Sequence, residues 1–158
     1  MKHEKADYKT FRRGLYRYGD RIDRVENLVV AGMPDVNLAS GGVELWIEFK
    51  SPIEPKRPRS PLFGGSNHQV LQTQANWFLE QCNAGGRCFL LVSTNKRWLL
   101  IPGAFVAHEP INKWTVSEFI MKAVWHCEKP ARREQWETLR AILFRDSKQG
   151  QCNIRSDA

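Results

Sequence analysis

The sequence predicts one α/β domain with a helical C-terminal extension, on three observations. The chain has 158 residues, which suits a single buried core. Stretches with apolar residues three or four apart alternate with short runs of strand character. Past about residue 104 the helical spacing takes over, so the expected core spans about 5–103 and the extension about 104–145 within one domain, 1–158. A hydrophobic fraction of 42% with 26% charged residues is that of a folded protein, which sets aside a disordered or fibrous chain.

Taken in order, Tyr8, Phe11, Leu15 and Tyr18 share one helical face over 4–18, ended by Gly19 and Asp20. The run 21–31, with Ile22, Val25, Leu28, Val29 and Val30, reads as a strand that Gly32 breaks. Residues 34–50 read as a hairpin: Asp35-Val36-Asn37-Leu38 and Glu44 to Lys50 alternate around Gly41-Gly42, and both central positions of a type I′ turn need positive φ. Four prolines between Pro52 and Pro61, then Gly64 and Gly65, mark a loop within the domain. A helix is expected over 68–83, stopped by Gly85 and Gly86, followed by buried strands at 88–92 and 98–101. Thr115-Val116-Ser117-Glu118 is a capping-box pattern ahead of a helix carrying Phe119, Ile120, Val124 and Trp125. Pro130 suits the first turn of a last helix with Trp136, Leu139, Ile142 and Leu143, and 146–158 read as a polar, frayed end. Trp114, Trp125 and Trp136 read as core.

No segment approaches the roughly 18 apolar residues of a membrane span, and the first residues are charged, so no secretory signal is read and a cytoplasmic location is expected. Cys82, Cys88, Cys127 and Cys152 form no CxxC pair and no zinc-type cluster, so they read as free thiols. The formal charge of +7 favours a polyanionic partner, above all nucleic acid. The basic residues cluster at Arg12, Arg13, Arg17, Arg21 and Arg24, and again at Lys56, Arg57 and Arg59.

The chemistry sits on the hairpin. A two-residue Gly41-Gly42 turn sets Asp35 opposite Glu48, Val36 opposite Ile47 and Leu38 opposite Leu45. One face then gathers Val36, Leu38, Leu45, Ile47 and Phe49, and the other Asp35, Asn37, Trp46, Glu48 and Lys50. A three- or four-residue turn would change the facing pair. Charged outward faces are common on antiparallel sheets. Two carboxylates set directly opposite each other are destabilising, however, and a structural hairpin gains nothing from them. A divalent cation between them removes the repulsion and uses both as oxygen ligands, which suits Mg2+ or Mn2+. Lys50, one pleat repeat from Glu48, is placed to hold a water and offset charge on an attacked phosphate.

Pro34-Asp35, twelve intervening residues and Glu48-Phe49-Lys50 resemble the signature of the PD-(D/E)XK nucleases. Arg24-Val25-Glu26-Asn27, Gly32 to Asn37 and Trp46 to Lys50, followed by Gln74-Ala75-Asn76-Trp77 and Gly85-Gly86-Arg87, resemble small stand-alone bacteriophage nucleases of the VRR-NUC and Holliday-junction-resolvase branches. The resemblance covers about residues 5–103. It implies a mixed sheet flanked by helices in αβββαβ order. It implies a metal held by Asp35, Glu48 and the main-chain carbonyl of Phe49, a water positioned by Lys50, and support from Gln74. Relatives also carry an acid on the first helix; Glu4 and Asp7 are the candidates here, with Glu26 a third from its own strand.

The function expected is a Mg2+- or Mn2+-dependent DNA endonuclease, with junctions or flaps among its substrates. Lys56, Arg57, Arg59 and His68 are the candidate DNA contacts. A homodimer is left open. The alternatives are a catalytically silent nucleic-acid-binding protein on the same fold and a phage-encoded inhibitor; in either phage case the location is the host cytoplasm.

Overall fold

A computed structural model describes residues 2–26, 29–65 and 67–145. Helix α1 (Lys2–Leu15) leads into β1 (Arg21–Arg24), β2 (Val36–Ser40) and β3 (Val43–Lys50). Helix α2 (Gln72–Asn83) precedes β4 (Cys88–Ser93) and β5 (Arg97–Pro102). There follow α3 (Gly103–His108), a 3-10 turn (Ile111–Lys113), α4 (Val116–Lys122), β6 (Trp125–Glu128) and α5 (Arg133–Leu143). The six strands lie side by side in chain order. Every neighbouring pair is antiparallel except β3 and β4, which run parallel and so need the crossover through α2. Among the described residues no helix is long and apolar enough to cross a membrane.

The sheet is covered on both faces. Phe11 and Leu15 of α1 and Trp136, Leu139 and Leu143 of α5 pack on Val36, Leu38, Leu45, Ile47 and Phe49. On the other face Phe78 of α2, Val106 of α3 and Phe119 of α4 pack on Leu90, Val92, Leu99 and Ile101. Central strands buried on both sides read as continuous apolar runs, which is why β4 and β5 were conspicuous in the sequence.

The hairpin has the expected register: Val36 faces Ile47, Leu38 faces Leu45 and Ser40 faces Val43. Gly41 and Gly42 both take positive φ, 56° and 81°, which is the backbone a two-residue turn requires.

Four expectations are corrected. Helix α1 ends at Leu15, short of Tyr18. The strand expected over 21–31 stops at Arg24; Val29 and Val30 are exposed, and residues 27 and 28 lie outside the described residues. The helix expected from His68 starts only at Gln72. Asn112 holds Val70 by both backbone groups, accepting from its N–H (2.7 Å) and donating to its carbonyl (2.8 Å), so the chain stays extended up to Leu71. Finally, Val124 and Trp125 do not continue α4. The extension of 104–145 is not wholly helical, because β6 joins the sheet beside β5 and buries Trp125 and Cys127 on alternate residues. Cys82, Cys88 and Cys127 are free thiols, and Cys152 lies outside the described residues.

Candidate active site

The site lies at the C-terminal end of β3, on the face toward α2. Extending the β2–β3 register one step past its last pair, Val36–Ile47, sets Asp35, the residue before β2, opposite Glu48. The same extension one step further would set Pro34 opposite Phe49. Proline has no N–H, so it cannot donate to the Phe49 carbonyl. The Phe49 N–H, which points to the same edge of its strand, donates instead to Asp35 Oδ1 (3.1 Å). The Pro34-Asp35 pair thus ends the ladder, anchors one carboxylate and leaves a carbonyl oxygen beside it.

Helix α2 supplies the second wall. Gly32 takes φ 81° and passes so close to α2 that a Cβ there would lie 2.0 Å from the Thr73 carbonyl oxygen, so glycine at 32 fixes the approach of the Asp35 segment to the helix. Gln74 Nε2 donates to Glu48 Oε1 (2.5 Å), while Gln74 Oε1 accepts from Lys50 Nζ (3.3 Å) and from the Leu71 N–H (2.9 Å). Lys50 Nζ also lies 3.0 Å from Glu48 Oε1. Glu48, Lys50 and Gln74 therefore form one closed hydrogen-bonded set, and Glu48 is only 6% exposed.

The electrostatics are strained in the way opposed acids predict. Burial, followed by the charge of Glu48, pushes the Asp35 carboxyl up to about 7, against the Phe49 N–H and Arg24. Burial also raises Glu48, with Lys50 and Gln74 pulling it back. Glu4 of α1 adds negative field to both. It pairs with Arg24, whose Nη2 lies 3.8 Å from Asp35 Oδ2, so one guanidinium bridges the α1 acid to the β2 acid. Asp7, the other α1 candidate, is held in a separate network by Lys129 (3.2 Å), Ser93 (2.8 Å) and Ser51 (3.2 Å). Glu26 lies past the end of β1 and is exposed. In the sequence Arg24 stands in the basic cluster and in the Arg24-Val25-Glu26-Asn27 motif, neither of which places it beside the acids; its position two residues from Ile22, on the same face of β1, is the available signal.

His68 is half-buried in a cavity of about 240 Å3 that also holds Glu4, and burial together with the charge of Lys50 holds its pKa below the usual histidine value. Lys56, Arg57 and Arg59 are exposed on the loop after β3. That loop is pinned on one side by Glu54, which accepts from Arg97 (2.6 Å) and Thr94 (2.8 Å), and on the other by buried Leu62 and Phe63.

The donor set is all oxygen: the buried Glu48 carboxylate, the half-buried Asp35 carboxylate and a main-chain carbonyl. That fits a hard divalent cation, which keeps several waters of its own. Among the described residues no group of three or more His, Cys, Asp or Glu side chains is gathered tightly enough to hold a metal alone.

Among solved structures, the chain is similar to the Holliday junction resolvase Hjc of Archaeoglobus fulgidus, an archaeal hyperthermophile. The TM-score is 0.51 and the identity 17%, over 78% of this chain and 94% of that one. At that identity the likeness bears on fold. The chain has the α/β restriction-endonuclease-like fold, a mixed six-stranded sheet flanked by helices. No family model matches the chain, and no curated protein is detectably similar to it.

Proposed function

We propose that the protein is a metal-dependent DNA endonuclease acting on branched DNA such as a junction or flap. One observation carries the reading. Asp35 and the closed Glu48–Lys50–Gln74 set meet on one face of a restriction-endonuclease-like sheet, with both acids raised by burial. The solved neighbour is described as a Holliday junction resolvase, which supports a branched substrate. The residue order around Pro34-Asp35 and Glu48-Phe49-Lys50 supports the small-phage VRR-NUC branch.

Asp35, Glu48 and the Phe49 carbonyl are the residues that would hold Mg2+ or Mn2+. When bound, the cation supplies positive charge to the attacked phosphate and acidifies water for the attack. Gln74 fixes the Glu48 carboxylate by its amide N–H and orients Lys50 by its carbonyl oxygen. Lys50 Nζ, with one donor to spare beyond Glu48 and Gln74, holds the attacking water and faces the charge that develops on the phosphate. The backbone N–H of Phe49 keeps Asp35 in place while this happens.

The test is incubation with plain duplex, nicked duplex, flap and four-way-junction DNA, in Mg2+ and in EDTA. Cleavage is expected in Mg2+ alone and is expected to prefer a branched substrate. Asp35→Ala and Glu48→Ala should each abolish cutting while DNA binding and folding persist. Cutting at the wild-type rate by either variant would show that the site is wrongly assigned. Binding without any cutting would favour a silent DNA-binding protein.

A further inference from the structure

A cleft of about 750 Å3 runs between α1 and the segment from β6 into α5, away from the acids of the site. One wall is formed by α1, with Asp7 and Arg13, and by Arg17 just past its end; the other carries Lys129 and Arg133, and Trp98 and Trp136 form the floor. Four cations thus face one carboxylate. That carboxylate is already neutralised, since Asp7 pairs with Lys129 (3.2 Å) and accepts from Ser51 and Ser93. Arg17 is shared with exposed Glu137, a pairing of the kind that contributes little at a surface. Arg13 and Arg133 are exposed and make no ion pair among the described residues.

The cleft adjoins a second cavity that lies nearer the site. Asp7 and Lys129 also line the cavity that holds Glu4 and His68, so the two spaces meet at this ion pair. Glu4 in turn is joined to Asp35 through Arg24. From Glu4 to Leu15, the last residue of α1, is about 17 Å at the helical rise per residue, and Arg17 stands two residues beyond. A small anion has no use for such a length, whereas a single DNA strand, with a charge on every nucleotide, would lay several nucleotides along it. The floor excludes base recognition: Trp98 is 1% exposed and Trp136 6%, so neither offers a ring face for stacking.

We infer that this cleft binds the sugar-phosphate backbone of a single DNA strand leaving the cut site, without regard to sequence. The identity of the centre at its end rests on the nuclease reading; the charge and shape of the cleft do not.

The test is a binding titration in EDTA, by fluorescence anisotropy over a salt series, so that cutting plays no part. The probes are a blunt duplex and the same duplex with a single-stranded arm of about six nucleotides, of either polarity. With wild-type protein the arm should raise affinity and steepen the logarithmic salt slope. In Arg13→Ala/Arg133→Ala the arm's added slope should fall by about 1.4, at about 0.7 per single-strand contact. Arg13→Lys/Arg133→Lys should keep it, which separates lost charge from lost folding. An arm that adds as much in the Ala variant as in wild type, or nothing in wild type at either polarity, overturns the inference. An intact arm effect with no cutting of any DNA in Mg2+ would remove the nuclease reading and leave the cleft standing.

Discussion

Asp35 is the residue on which the site's energetics turn. Its carboxyl is pushed up to about 7 by burial and then by Glu48, from an ordinary 3.8. The folded protein therefore binds a proton there more tightly than the unfolded chain does. Stability is lost, on account of this group, as pH rises from about 4 to about 7, and the loss is complete above that. Asp35→Asn removes the ionisation. Thermal melts at pH 4 and pH 8 should show the variant level with wild type at the lower pH and ahead of it at the higher. Parallel curves would mean that no buried like-charge repulsion is present. The same proton must leave when a cation binds, so Mn2+ affinity should rise across this window. Calorimetric heats should then vary with the buffer's ionisation enthalpy.

At the scale of elements, α5 is tied to the rest by an ion pair the sequence did not reveal. Arg140 forms a two-pronged pair with Asp20, which lies in the turn before β1, and donates to Ser40 Oγ (3.0 Å) at the hairpin tip. Burial would raise Asp20, but Arg140, Ser40 and the Arg17 N–H outweigh it and hold the group at about 2. Asp20→Asn leaves Arg140 uncompensated and should cost on the order of 3 kcal/mol at pH 7, read by urea unfolding. A depressed carboxyl stabilises above its unfolded value, so the gap between variant and wild type should close as pH falls from 3.8 through about 2. A gap that stays constant across that range would assign the loss to packing.

What was legible at this scale was whatever local pattern decides. The hairpin follows from period-two alternation and Gly41-Gly42, and its register carries Asp35, Glu48 and Lys50 to one face. Gln74 was reachable by its order along the chain. The start of α2 was not, because Asn112, distant in sequence, sets it. Strand β6 was not, because four residues that pair only with β5 look like the end of the helix before them. The choice of Glu4 over Asp7 was not, because the rotation of α1 against the sheet is fixed by Phe11 and Leu15 in the core.

Over the whole molecule, the basic excess of +7 includes two separate gatherings of cations, in the cleft beside α1 and on the loop after β3. The cleft beside α1 offers its cations from two facing walls, which suits a single strand laid between them. Lys56, Arg57 and Arg59 project from an arch whose ends are fixed by Glu54 and by Leu62 and Phe63, a few residues past Lys50. A fixed arch loses little entropy on binding, and cations that meet only the backbone do so whatever the base sequence. Replacing all three by Ala should therefore weaken binding to blunt duplex uniformly across sequences and reduce its logarithmic salt slope by up to about 2.7, at about 0.9 per phosphate contact. The added effect of a single-stranded arm should survive this change, since the cleft keeps its own cations. A blunt-duplex slope that does not move would put the arch outside the interface. A lost arm effect would mean that arch and cleft act on the strand as one surface.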